Sequence, residues 1–206
     1  MIKIKICGIT NLDDALMAIE YGADALGFIF YSQSPRGIVA EKAKAIIDKL
    51  PTLTFRIGVF VDEKPETVRD IMNMCRLDGV QLHGDESPDY CRLFRRRVIK
   101  SFRPKTNDQI EKINDYDVDA FLLDSYHPDL AGGTGTTFDW ELAVAAKMFG
   151  KPVILSGGLN DKNVAEAIRL VKPYGIDAAS GVEAFPGKKD PAKLKQFMEQ
   201  ARWASE

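Results

Sequence analysis

Short β-rich runs alternate with charged, helix-patterned stretches eight times along this chain, and few folds accommodate that order. The strand-like runs cover residues 2–7, 25–30, 55–61, 79–83, 98–102, 120–124, 153–156 and 175–179. Helix-like segments lie between them at about 12–21, 40–50, 64–74, 87–96, 107–114, 138–148, 160–171 and 190–203. Asn11, Ser87 and Asn160 each precede such a segment and offer a side-chain oxygen to the free amides of a first turn. Strict strand–helix alternation implies a parallel sheet, because parallel neighbours need a crossover between them. Ala25-Leu26-Gly27-Phe28-Ile29-Phe30 is apolar throughout, as expected of a strand covered on both faces. Eight units in 206 residues, about 26 each, leave room for a strand, a helix and two short loops. The pattern predicts an α/β protein, a single-domain (β/α)8 TIM barrel over residues 1–206.

Such barrels carry their chemistry at the C-terminal ends of the strands, so the strand map becomes a list of candidate residues. Reading outward from each strand end gives Cys7, Arg36 in the longer loop after the second strand, His83, Asp124, Gly157-Gly158 and Ser180-Gly181. The glycines after strands seven and eight fit the position where barrels often bind phosphate; alternatively they only make tight turns. Cys7 reads either as a reactive thiol or as a packed strand-end residue. Cys75 and Cys91 fall on helices and read as small core residues. Asp124 closes a buried apolar run, where desolvation would raise its pKa and let it hold a proton; otherwise it caps the loop that follows. Arg36 is placed to clamp a carboxylate in a bidentate fork, or is a solvated loop charge. His83 is a candidate catalytic or binding group, or a hydrogen-bonded strand-end histidine.

Composition narrows the partners. With 45% hydrophobic and 28% charged residues the chain is neither disordered nor fibrous. A net charge of −2 provides no basic excess, so nucleic acid is not an expected partner. No run approaches the roughly 20 apolar residues of a membrane span, and Met1-Ile2-Lys3-Ile4-Lys5-Ile6 lacks the form of a secretory signal. Three widely spaced cysteines fit neither a disulfide framework nor a zinc site. The expectation is a cytoplasmic protein, monomer or homodimer, with a small-molecule substrate.

Nine stretches then carry a resemblance. They are Lys5-Ile6-Cys7-Gly8-Ile9-Thr10, Ser34-Pro35-Arg36, Val80-Gln81-Leu82-His83-Gly84, Leu122-Leu123-Asp124-Ser125, Gly132-Gly133-Thr134-Gly135, Phe138-Asp139-Trp140, Leu155-Ser156-Gly157-Gly158-Leu159-Asn160, Ser180-Gly181-Val182-Glu183 and Pro186-Gly187-Lys188-Lys189-Asp190. In this order, over nearly the whole chain, the sequence resembles the phosphoribosylanthranilate isomerases of tryptophan biosynthesis. The resemblance implies an Amadori rearrangement of a phosphorylated substrate without metal or organic cofactor. It implies Cys7 as general base, Asp124 as general acid, and Arg36 on the anthranilate carboxylate. Gly157, Gly158, Ser180 and Gly181 would hold the phosphate, and His83 would belong to the substrate site. Gly37 and Ala179 stand where the family often carries an aromatic residue and a serine.

Unperturbed, about one aspartic acid in a thousand is protonated at pH 7, and about 3% of cysteine is thiolate. The site is therefore expected to raise the pKa of Asp124 and lower that of Cys7, or to work through a small active fraction.

Overall fold

The computed structural model describes residues 1–95, 97–124 and 140–205. Eight parallel strands close into one barrel in sequence order. They are β1 (Lys3–Cys7), β2 (Ala25–Ile29), β3 (Phe55–Phe60), β4 (Gly79–Leu82), β5 (Arg97–Phe102), β6 (Ala120–Asp124), β7 (Val153–Ser156) and β8 (Gly175–Ala178). Helices α1 (Leu12–Glu20), α2 (Ala40–Ile47), α3 (Pro65–Met74), α4 (Pro88–Cys91), α5 (Asn107–Glu111), α6 (Trp140–Ala146), α7 (Val164–Val171) and α8 (Pro191–Trp203) follow the strands in turn. The expected barrel is the observed one. The stretches 125–139, which include Ser125, Gly132-Gly133-Thr134-Gly135 and Phe138-Asp139, lie outside the described residues.

The two-residue period of a strand divides the core into two layers. On β1, Ile4 and Ile6 are fully buried in the large apolar layer between sheet and helices. Lys5 and Cys7 point the other way, into the barrel, where Ile57, Ile99, Ala120, Leu122 and Ile154 form a smaller apolar cluster. A cavity of about 530 Å³ at the amino-terminal end of the barrel is bounded by this cluster. The charges around it already have structural uses: Lys3 pairs with Asp24, Asp119 accepts from the Val98 amide, and the Arg97 guanidinium sits over Phe55. Among the described residues no helix is long and apolar enough to cross a membrane.

Two of the three helix starts behave as expected. Asn11 accepts the Asp14 amide at 2.9 Å and Ser87 accepts that of Tyr90 at 3.2 Å. Asn160 does not start a helix. Its side chain accepts from the Lys162 amide, and Asn163 Oδ1 accepts from the Asn160 amide, so side chains close a turn and α7 begins at Val164. The segment at 87–96 is also shorter than its pattern suggests, while that at 107–114 is helical throughout, α5 tightening into a 3-10 turn over Lys112–Asp115. Past α4, the Phe94 amide reaches back to Cys91, a tighter winding that turns the chain toward β5. A feature not foreseen is the antiparallel hairpin of β9 (Glu183–Phe185) and β10 (Lys188–Lys189), turned at Gly187 with φ 84°.

Candidate active site

At the carboxyl ends of the strands a cavity of about 580 Å³ is lined by Cys7, Arg36, His83, Asp124, Gly157, Gly158 and Ser180. The strand register explains the gathering. Asp124 and Ser156 are partners at the ends of β6 and β7, while Cys7 ends β1 opposite Gly27 of β2. Residues separated by more than a hundred positions thus face one space.

Gly157 and Gly158 have φ of 88° and 65°, the left-handed region that costs glycine nothing. Gly181 stands behind the cavity wall. A Cβ there would collide with the Leu159 carbonyl oxygen, so glycine lets the turn after β8 press against the loop after β7. Gly181→Ala is expected to cost roughly 2–4 kcal/mol, because the obstruction is backbone and cannot rotate away. Thermal melting should show a Tm lower by about 5–10 °C. A Tm within a degree of the parent would mean the two loops separate freely.

Cys7 is buried, and its carbonyl accepts a 2.7 Å hydrogen bond from Lys189 Nζ. Burial pushes the thiol above the ordinary cysteine value, and the Lys5 ammonium beside it pulls back only part of the way. The expectation of a lowered thiol pKa is therefore corrected. Desolvation inside a packed barrel outweighs the nearby positive charge.

The expectation for Asp124 is corrected in the opposite sense. Burial does push its carboxyl up, and is the largest single influence. The hydrogen bond and charge of His83, together with Arg103, outweigh it and hold the group below the usual aspartate value. Both partners approach Asp124 Oδ2 at 3.2 Å, His83 through Nε2 and Arg103 through Nε. Gln81 Nε2 lies 2.8 Å from His83 Nδ1. The hydrogen on His83 Nε2 is donated to the Asp124 carboxylate. His83 thus serves the carboxylate directly.

Arg36 is neither a solvated loop charge nor an open fork. Its Nε and Nη2 are spent on the carboxylate of Glu183, at 3.0 and 2.7 Å, which leaves Nη1 as the nitrogen that Glu183 does not engage. Glu183 also accepts from Lys189 Nζ at 3.0 Å and from the Gly187 amide at 3.3 Å. The β9–β10 hairpin therefore fixes both Arg36 and the backbone of Cys7. At Gly37, where the family often carries an aromatic residue, a Cβ would press on the carbonyls of Tyr31 and Ser34, and Tyr31 itself lines the cavity.

A sequence model described as N-(5′-phosphoribosyl)anthranilate (PRA) isomerase matches residues 4–200. The chain belongs to the N-(5′-phosphoribosyl)anthranilate isomerase family. A relative from Geotalea uraniireducens, an N-(5′-phosphoribosyl)anthranilate isomerase, is 54% identical over 202 residues, covering 98% of this chain and 99% of that protein. The phosphoribosylanthranilate isomerase structure from Thermotoga maritima superimposes with a TM-score of 0.92 at 45% identity, over 98% of this chain and 100% of that one. A phosphoribosylanthranilate isomerase solved with reduced 1-(o-carboxyphenylamino)-1-deoxyribulose 5-phosphate gives 0.89 at 43% identity, with the same coverage.

Within this isomerase fold, sequence reasoning passed over Lys5, Gln81, Arg103, Asp177, Glu183 and Lys189. Lys5, Gln81, Glu183 and Lys189 had a signal, since all four lie in stretches that carry the resemblance. Arg103 had the strand-end signal, directly following the fifth strand, and Asp177, within β8, had none. Among the described residues no three metal-binding side chains converge.

Proposed function

We propose that Cys7 and Asp124 are the proton-transfer pair with which this chain converts N-(5′-phosphoribosyl)anthranilate into 1-(2-carboxyphenylamino)-1-deoxyribulose 5-phosphate. The supporting observation is their meeting across one cavity, on the rim that also carries the left-handed glycines after β7 and the turn after β8. Asp124, as carboxylic acid, gives its proton to the furanose ring oxygen. The C1′–O bond breaks as the nitrogen lone pair forms the iminium. That cation acidifies the C2′ hydrogen, and the Cys7 thiolate removes it to leave an enolamine. Tautomerisation, with a proton gained at C1′ and one lost from the 2′-hydroxyl, gives the ketone. The loops carrying Gly157, Gly158, Ser180 and Gly181 hold the phosphate, Arg36 takes the carboxylate through Nη1, and His83 orients Asp124.

The free site has its proton on sulfur and its charge on the carboxylate, which is the state left after C2′ deprotonation. Each new turnover then requires one proton to leave Cys7 and one to reach Asp124, exchanged with solvent. A bound anion that draws Arg103 away from Asp124 would raise that carboxyl toward its working state. Binding energy from phosphate and carboxylate offsets the cost of the unfavourable protonation.

The test is to generate phosphoribosylanthranilate in situ and follow loss of its fluorescence on adding the protein. Rapid, protein-dependent loss with formation of the ketose is expected. Tight binding without turnover would make the chain a sensor of the same ligand and overturn the assignment.

A further inference from the structure

Beneath Cys7, inside the barrel, lies a pair of charges that the reaction described above does not use. Lys5 and Asp177 are register partners on β1 and β8, each only 5% exposed, with Lys5 Nζ 2.9 Å from Asp177 Oδ2. The contact is ionic but poorly aligned. Neither Lys5 Nζ nor Asp177 Oδ1 has a conventional hydrogen bond among the described residues. An ammonium has three donors, and burying it with donors unspent costs free energy unless they meet something useful. Lys5 and Cys7 are two positions apart on one strand, so their side chains share a face. Opposite them, Gly27 leaves the space they need. A Cβ there would lie 2.6 Å from Cys7 Sγ and 3.1 Å from Lys5 Cε.

We propose that Lys5, anchored by Asp177, is a positioning residue for the general base, its ammonium supplying the counter-charge when Cys7 becomes a thiolate. The proposal rests on Cys7 being that base. The other charged groups around Cys7 have different duties. Lys189 from β10 is tied to the carbonyls of Cys7 and Ala179 and to Glu183, and Arg36 is held by the same Glu183. Among the described residues Lys5 alone offers uncommitted donors at the sulfur, and its charge pulls the thiol downward against burial. Asp177 contributes the opposite sign, so the pair is graded: it keeps Lys5 charged while the thiol is neutral, and releases part of its hold when the sulfur ionises.

Removing Lys5 alone would leave Asp177 as an unpaired buried carboxylate, so the decisive variant is the double replacement Lys5→Met with Asp177→Asn. Cys75 and Cys91 are first replaced by alanine, so that thiolate absorbance and iodoacetamide reactivity report Cys7 alone. In the double variant the Cys7 titration is expected to move up by at least one pH unit. The thiolate fraction at a given pH would then fall about tenfold, and kcat with it, while KM stays within about twofold. Asp177→Asn alone removes the carboxylate that opposes the thiolate; a Lys5 that has lost this partner is held charged by the thiolate itself, so the Cys7 titration is expected to move down. The two opposite shifts are read on folded protein checked by circular dichroism, and Asp177→Asn suffices if the double variant does not fold. An unchanged Cys7 titration in the folded variants, or a change confined to KM, would overturn the role of Lys5. Full turnover by Cys7→Ser would instead overturn the reading of Cys7 as base, whatever Lys5 does.

Discussion

Replacing Cys7 with serine is expected to lower kcat by about a thousandfold at neutral pH while KM changes little, the loss typical of removing a general base. The substitution is nearly isosteric and leaves the contact with Gly27 in place, so the barrel should persist. What is lost is acidity. Even with its pKa pushed above the ordinary value by burial, the thiol ionises far more readily than an alcohol does, and only the ionised form can take the C2′ hydrogen. Single-turnover fluorescence decay measures the chemical step directly. Rates near wild type would remove Cys7 from the mechanism.

Asp124→Asn should lower kcat about a hundred- to thousandfold, and should also change the shape of the pH profile. In the wild type, the active form needs Asp124 protonated and Cys7 ionised, whereas Asp124 titrates below the ordinary aspartate value and Cys7 above that of cysteine. Between those two titrations, raising the pH gains thiolate as fast as it loses carboxylic acid. The active fraction is therefore constant, and kcat/KM is flat. Asparagine removes the acid term. The residual rate should then follow the thiolate alone and rise about tenfold per pH unit until Cys7 titrates. Measurement above pH 7 avoids the phosphate of the substrate, whose second ionisation falls near 6. A profile for Asp124→Asn as flat as that of the wild type would mean that Asp124 does not carry the proton. Folding should tolerate the change, since an amide oxygen can still accept from His83 Nε2 and the exposed Arg103 contributes under about 1 kcal/mol.

Both predictions concern residues legible in the sequence. Cys7, Asp124 and the paired glycines were visible because a barrel assigns its chemistry to strand ends, and strand ends follow from hydrophobic patterning that is local. The caps at Asn11 and Ser87 were visible for the same reason: the donor and acceptor lie within three residues of each other. The start of α7 was misplaced because Asn160 and Asn163 hydrogen-bond their own turn, a competition between two local options that composition does not resolve.

By itself, the order of residues determined the number of βα units, the closure of the barrel and several of the side chains that reach its rim. The tertiary structure alone decided how those side chains are charged and held. Asp124 stays ionised because His83 and Arg103 arrive from β4 and β5, 41 and 21 residues away, and Arg36 is engaged because Glu183 arrives from 147 residues away. Ionisation depends on the distance to other charges and to water, and only closure of the barrel sets those distances.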